Sequence, residues 1–572
     1  MGFINPADPP FEYAEWRSRP HLERIKLLAQ DWALNGFGAP YFVYLLYLLK
    51  LVLYAGGGLL LISATSGLGG LGDLGSWWTE PIVFQKAVIW TMLWEALGLG
   101  AGSLPLTLRF SPMIGGLLYW LRPGTTRLPP WPERVPLTRG TRRTLFDVAL
   151  YAGLIAAALN LLLADGVDAG AASAGRLDPV AVGILLALLG LLGLRDKVPF
   201  LAARAEIYGN LAIVFLFPLT DMIVAAQLVF VCIWWGAASS KLNRHFPFVV
   251  TVMISNTPWN RWRGAKRRLY RAYPNDLRPS STGAFAAHLG TAMEFTLPLI
   301  LLVSQGGIVG TIAVAGMIAF HLHILSTFPL AVPLEWNIFM VFGLLFLFGH
   351  YGATSFSTLD DPLLIAILAV TCVGLPVLGN FRPDLVSFLP AMRYYAGNWA
   401  TSQWLFRREG GAEAKLDREL VKPAPIVTAQ LAKFYDPELI EVLVYKGLAF
   451  RSMHSHGRAL NGLVRRAVDD VEEYDVREGE LVAGVVLGYN FGDGHFHDQR
   501  LLAAIQERCG FEPGEVRIVV LESQAAHVQR QRYRIFDAAT GLVEEGWVNV
   551  ADMVERQPWL DERPFPVETI QA

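Results

Sequence analysis

Ionisable residues inside long apolar runs are the first places where chemistry could reside. Glu95, Asp147, Arg204, Glu206, Asp221, Lys241, His288, Glu294, His321, His323 and Glu335 all interrupt or border such runs. A charge at membrane depth is costly and is kept where it serves a purpose. Arg204 and Glu206 are two residues apart, as are His321 and His323. On a helix neither pair shares a face, so each member needs a partner from another element. His288 precedes Glu294 by six residues, somewhat under two turns, which lets the two face a broadly similar direction. A lysine, a glutamate and a histidine held together in low dielectric form an acid–base set, because burial lowers a lysine pKa and raises that of a glutamate. Such a lysine acts as a base near neutral pH. Lys241, Glu294 and His321 are therefore the catalytic candidates. Interhelical ion pairing with hydrogen-bonded histidines explains the same residues without chemistry, and that alternative stays open.

Two further clusters invite binding roles. The run WNRWRGAKRRLYRAY mixes cations and aromatics at helical spacing, with Trp259, Arg261, Trp262, Arg263, Lys266, Arg267 and Arg268 at its centre. This composition suits the headgroup layer of an anionic leaflet, although topology determination explains the cations equally well. Near the C-terminus, Asp493, His495 and His497 lie in the loop FGDGHFHD, and His454 and His456 lie in MHSHGR. Imidazole and carboxylate together suit zinc or iron. The spacing matches no zinc signature, and a tight glycine turn with Asp498 capping the next helix is the competing reading. No phosphate-binding glycine loop is present, and the cofactor stays unknown.

The elements that must position these residues follow from hydropathy. The 572 residues are 53% hydrophobic and only 17% charged, against about 25% charged in soluble chains. Spans of roughly 20 apolar residues cross a bilayer. Ten segments approach that: Ala39–Ser63, Phe84–Gly102, Leu145–Ala164, Val180–Leu194, Phe200–Pro218, Met222–Ser239, Gly283–Ser304, Ile308–Phe328, Trp336–His350 and Leu363–Leu378. The proline-broken stretch Leu104–Leu121 reads as re-entrant or interfacial. Residues 1–38 lack the early apolar core of a signal peptide, and Pro20–Ala33 reads as an amphipathic helix on the membrane surface, with a surface helix on the soluble domain as the alternative. Arginines and lysines concentrate in alternate loops, above all in 241–282, which predicts that both termini and this loop are cytoplasmic.

Residues 405–572 hold 20 Lys+Arg against 28 Asp+Glu, so the tail is acidic while the body is basic. The expected division is an interfacial segment 1–38, a helix bundle 39–380, an amphipathic segment and linker 381–425, and a soluble α+β domain 426–572. Within the tail, Thr428–Tyr445, Gly457–Tyr474 and Gln499–Cys509 read as helices. Leu481–Asn490 and Val516–Glu522 read as strands, and RYRIFDAATGLVEEGWVNV as a hairpin. The fold class is thus an all-α polytopic membrane helix bundle of about ten spans with a C-terminal cytoplasmic α+β domain. Cys232, Cys372 and Cys509 are too few and too scattered for a disulfide framework.

Four pieces occur in an informative order: FVCIWWGAASSKLNRHFPF, then AHLGTAMEFTLPLILL, then FHLHILSTFPLAVPLEWNIFMVFGLLFLF, then the aromatic stretch after the last span. This order resembles the membrane domain shared by vitamin K-dependent gamma-carboxylase and the bacterial HTTM (horizontally transferred transmembrane) proteins. The whole chain also resembles a family of bacterial multi-pass membrane proteins described only as uncharacterised, which implies a bacterial inner membrane location. The first resemblance implies that Lys241 matches the carboxylase's proposed base, Glu294 a family aspartate, and His321 the histidine of a Phe-His pair. The chain departs from the pattern in having Ser240-Lys241 where the carboxylase has two lysines, and phenylalanines where it has a nearby tryptophan. The resulting expectation is a membrane protein acting on a lipid or quinone-like substrate through an intramembrane acid–base pocket. The alternative is a non-catalytic lipid-binding or assembly component whose tail docks a protein partner. A net charge of −2 gives no reason to expect nucleic acid.

Overall fold

A computed structural model describes residues 2–100, 115–169, 173–327, 334–419, 426–489, 496–557, 559 and 563–570. Among them, six helices are long and apolar enough to cross a membrane: Tyr41–Ser63, Leu145–Leu163, Leu219–Ser240, Ser281–Ser304, Gly307–Thr327 and the continuous run Pro362–Phe381. The other segments expected to span are shorter. Pro81–Ala96 is buried almost all round and serves as a core helix. Pro179–Arg195 is 17 residues long, and Leu334–Gly343 continues as a π-helix to His350. Phe200–Pro218 is broken into Lys197–Ala202 and Ala205–Val214. The break falls at Arg204, whose φ of 48° ends the helix. The expected re-entrant stretch lies largely outside the described residues. Its end, Gly115–Trp120, packs on the tail, where the Trp120 indole donates to the Leu487 carbonyl at 2.9 Å.

Asp147 needs no functional explanation. It forms a capping box with Thr144 at the start of Leu145–Leu163 and pairs with Arg195 at 2.6 Å. This satisfies the free N–H groups of the helix start.

The N-terminal helix is His21–Asn35, and it does not lie on a membrane surface. Its apolar stripe, Ile25, Leu28, Ala29 and Trp32, shares one core with Tyr445 and Leu448 of the tail helix Pro437–Ser452. Arg24, fully buried, pairs with Glu472 at 2.5 Å and lies over the Tyr445 ring at 4.8 Å. The amphipathic face thus packs on the tail, the alternative to the membrane surface, and its partner is protein. The basic loop also folds against this core. It forms the helices Phe246–Asn256 and Arg263–Arg268 and a hairpin of β1 (Tyr270–Ala272) and β2 (Asp276–Pro279). Phe248 and Leu277 belong to the same apolar cluster as Trp32 and Tyr445. The N-terminal helix, the basic loop and the tail are therefore one body on one side of the bundle.

The tail is built on an antiparallel sheet of β3 (Thr401–Arg407), β4 (Tyr474–Glu478), β5 (Val516–Leu521), β6 (Arg530–Asp537), β7 (Gly541–Asn549) and β8 (Glu568–Thr569). The order is β4-β3-β5-β6-β7-β8. β3 lies within the stretch expected to be an amphipathic surface segment and is instead an inner strand, paired with both β4 and β5. The expected strand Leu481–Asn490 is the helix Gly479–Leu487, capped by the Glu478 side chain and ended by Gly488 in left-handed conformation. The expected helix Thr428–Tyr445 is divided before Pro437, and Gly457–Tyr474 ends at Ala467. Gln499–Cys509, the strand at Val516 and the closing hairpin form as expected, with Asp498 as the helix cap.

Docking of the N-terminal helix makes stability depend on pH. Burial, reinforced by Arg24, Arg408 and Arg465, pushes the His21 imidazole down to about 3. A folded-state value below the unfolded one gives stability that is complete above pH 6.5 and lost as the pH falls toward 3. Thermal unfolding in detergent, followed by tryptophan fluorescence, is expected to shift downward between pH 6.5 and 5. His21→Asn should flatten that slope, and identical slopes in both proteins would refute the assignment.

Candidate functional site

The helix Leu219–Ser240 ends in the small residues Gly236, Ala237, Ala238, Ser239 and Ser240. A side chain at Gly236 would press on the Pro390 carbonyl at 3.3 Å, so the small run lets the following segment pack closely. The Ser240 hydroxyl donates to the Ala391 carbonyl. Lys241 caps the helix, where the partial negative charge of the C-terminus favours a cation. Its ammonium donates to the Glu294 carboxylate from the helix Ser281–Ser304, and both residues are buried. Phe246 and Phe320 place their rings 5.2 and 5.9 Å from the ammonium.

His321 comes from the next helix, Gly307–Thr327. The indole N–H of Trp234 points at its Nε2 from 3.1 Å, and its Nδ1 lies 3.0 Å from the Asn337 Oδ1. An indole can only donate, so Nε2 is the acceptor and the proton sits on Nδ1. The ring is thereby a neutral imidazole of fixed tautomer whose lone pair is already engaged. His288 and His323 are exposed, His323 at the cavity wall, and among the described residues neither joins Glu294 or His321 through a hydrogen bond.

Two more buried ion pairs tie helices together. Lys50, in the middle of Tyr41–Ser63, pairs with Glu335 at 2.9 Å. Arg204 pairs with Glu95 at 2.7 Å, donates to the Tyr395 hydroxyl at 3.3 Å and lies over the Trp336 ring at 5.4 Å. Glu206 accepts from the Ser387 hydroxyl, and Asp221 accepts the Asp360 N–H at 3.3 Å. Lys50 was not singled out from the sequence. Its signal was there, a lone cation in YLLKLVLY.

Lys50, Lys241, Glu294 and His321 all line one cavity of about 1410 Å³. Ligand sites are commonly about 300–1,000 Å³, so this one has room for a long-chain molecule. Most of the wall is apolar, with Trp94, Trp234 and Phe320 prominent. It continues past Trp399 to tail residues including Arg451 and Glu480.

The basic aromatic run divides. Lys266 is no headgroup ligand, because its buried ammonium donates to the carbonyls of Leu34 at 3.1 Å and Ser255 at 2.6 Å. These are last-turn carbonyls of two helices, which otherwise lack partners. Trp259 and Trp262 are 62% and 66% exposed. Arg261, Arg263, Arg267 and Arg268 are exposed and make no ion pair with a carboxylate among the described residues. The Trp259 indole donates to the Ser326 hydroxyl at 3.1 Å, at the end of a membrane-length helix.

The histidines considered for metal take separate partners. His454 Nδ1 donates to the Phe450 carbonyl at 2.8 Å. His456 Nε2 meets the Gln531 amide at 2.8 Å, and His497 Nδ1 meets the Ser402 hydroxyl at 2.8 Å. Asp493 and His495 lie outside the described residues. Among the described residues no group of three or more His, Cys, Asp or Glu is arranged to hold a metal ion.

The Lys241–Glu294 pair has a measurable signature. Removing one partner strands a buried charge and costs about 3–5 kcal/mol, whereas replacing both with apolar residues of similar volume is nearly neutral. Lys241→Met and Glu294→Leu are each expected to lower the thermal midpoint in detergent, and the double variant to recover most of the loss. Additive losses would show that the two side chains do not depend on one another.

No curated protein and no solved structure matches the chain. A family model does match, over residues 1–570, and its description is "Transmembrane protein of unknown function". With nearly every residue inside that match, six membrane-length helices among the described residues and a tail folded onto the bundle, the chain belongs to this transmembrane family, DUF3556.

Proposed function

We propose that the protein binds a lipid- or quinone-like amphiphile within the membrane and that Lys241 and Glu294 handle a proton on the part of it that reaches them. The observation that carries this reading is the long apolar cavity with the buried Lys241–Glu294 pair on its wall. Low dielectric penalises both charges, so moving a proton between the two groups costs less there than in water. An inserted hydroxyl or carbonyl completes the relay. His321, its lone pair held by Trp234, acts as a positioning residue for this wall. The resemblance of the Lys-Leu run to the carboxylase and HTTM membrane domain supports the choice of Lys241 as base.

The protein resides, on this reading, in a bacterial inner membrane. Its N-terminal helix, basic loop and tail pack together, and the arginine-rich loops favour the cytoplasm for that side. The exposed Trp259, Trp262, Arg261, Arg263, Arg267 and Arg268 hold anionic headgroups at the membrane boundary.

Native mass spectrometry of the detergent-purified protein is expected to reveal a bound hydrophobic molecule. Gly290→Trp, which fills the cavity where only Phe320 lies near at 3.8 Å, should abolish its retention. Lys241→Met should retain the molecule but lose its turnover by about 10²-fold or more, the usual scale of acid–base catalysis. Full turnover in that variant would remove Lys241 as the base, and absence of turnover in the unaltered protein would favour the non-catalytic carrier. For the headgroup patch, changing Arg261, Arg263, Arg267 and Arg268 to Gln should remove most of the thermal stabilisation given by added phosphatidylglycerol, at about 1 kcal/mol per arginine. Unchanged stabilisation would dismiss the patch.

A further inference from the structure

The cavity has a second polar end, and it belongs to the tail. Arg451 closes the helix Pro437–Ser452 and is 4% exposed. Its Nε forms an ion pair with Glu478 at 3.0 Å and its Nη2 with Glu480 at 2.5 Å. The Tyr394 hydroxyl donates to the other oxygen of Glu480 at 2.7 Å, and the Glu480 N–H donates to Glu478 at 2.8 Å. The guanidinium lies over the Trp399 ring at 4.9 Å. All five side chains are on the cavity wall, and Nη1 of the buried Arg451 has no hydrogen-bond partner. The indole N–H of Trp399, on the same wall, also lacks a partner, and a buried N–H without an acceptor is costly.

We propose that Arg451, Glu478, Glu480 and Tyr394 form a headgroup site that takes an uncharged, oxygen-bearing end of the amphiphile, a hydroxyl or carbonyl, and rejects an anionic one. This rests on the cavity reading above and names the class of ligand. The orphaned Nη1 supplies a donor for an oxygen lone pair. The carboxylates supply acceptors for a hydroxyl proton. Two carboxylates already share one guanidinium, so a phosphate would place a third acid on the same cation in a site shielded from water. Burial, with Glu480 adding to it against the opposing pull of Arg451, raises the Glu478 carboxyl above the ordinary range. A neutral Glu478 carries an O–H as well and leaves the cluster without net charge. Phe246, Val249 and Trp399 form one apolar cluster, so an apolar stretch of wall separates this end from Lys241.

The matched probes are 1,2-dioleoylglycerol and dioleoyl phosphatidic acid, which share their chains and differ by the phosphate. Binding to the delipidated full-length protein in detergent is read by native mass spectrometry. Dioleoylglycerol is expected to bind at least about tenfold more tightly. Arg451→Lys keeps the charge but removes the planar donor, and Glu478→Gln keeps the shape but removes the acid. Each should weaken dioleoylglycerol about tenfold, with thermal midpoints confirming that the variants fold. Equal or tighter binding of phosphatidic acid overturns the proposal, as does unchanged affinity in both variants or no binding of either probe. Gly290→Trp separates the two levels. If it blocks binding while Arg451→Lys and Glu478→Gln do not, the cavity reading stands and the headgroup site falls. If it leaves binding intact, the cavity itself is not the site.

Discussion

One rule governs the body of this protein: a charge taken into an apolar bundle must find a partner on another element. Lys50 joins Tyr41–Ser63 to Glu335, Arg204 joins the break in the chain to Glu95, and Lys241 joins Leu219–Ser240 to Glu294. Elsewhere hydroxyl and backbone groups serve instead: the Lys86 ammonium donates to the Thr65 hydroxyl and to the carbonyls of Leu162 and Ala164. These pairs fix which helices meet and at what height. The helix Tyr41–Ser63 shows the point well. Leu45, Leu48 and Val52 are exposed while Leu49 and Leu53 line the cavity, so its docking draws on Lys50 together with Tyr54, Ile62 and the Trp90 contact.

The same rule shapes the cavity. Apolar walls alone would collapse or fill with side chains, since interiors pack to crystal density. Here the bundle is held apart by elements that are fixed elsewhere. The segment after Lys241 is pinned by His245, whose ring bonds the Ser455 hydroxyl at 2.7 Å and the Gln524 side chain at 2.8 Å. The segment Phe388–Ala396 is pinned by Arg393, which donates to the carbonyls of Gly379 and Val386. The tail is thus part of the membrane body's architecture, and the cavity wall runs from bundle to tail without a break.

The sequence made some of this legible and hid the rest for physical reasons. Lys241, Glu294 and His321 stood out because charge and imidazole are rare in apolar runs, and the cavity gathers all three on its wall. Inner strand β3 was hidden because Ser402 and Gln403 look like surface residues. They are fully buried, where the Ser402 hydroxyl meets His497 and the Gln403 amide N–H meets Asn461. The helix Gly479–Leu487 was taken for a strand because a short apolar run rich in valine carries no decisive period. Its boundary signals, Glu478 before and Gly488 after, were the better guide. The N-terminal helix illustrates a third limit. An amphipathic stripe states that an apolar face will be covered but not by what, and here a tail more than 400 residues away covers it.

Charge balance then narrows what the cavity can admit. Each membrane-depth pair is neutral in sum, and the tail cluster of Arg451, Glu478 and Glu480 carries no surplus of positive charge. The cations without an ion pair among the described residues, Arg261, Arg263, Arg267 and Arg268, are exposed instead. An anion is therefore attracted to the exterior of the boundary region and meets no compensating charge within. A molecule that enters gains its binding energy from apolar contact, at roughly 25 cal/mol per Å² removed from water, and its orientation from a few hydrogen bonds. That division of labour is what separates the outer patch from the inner cavity, although both lie beside the same helix Gly307–Thr327: Trp259 bonds Ser326 on one side, and His321 lines the cavity on the other.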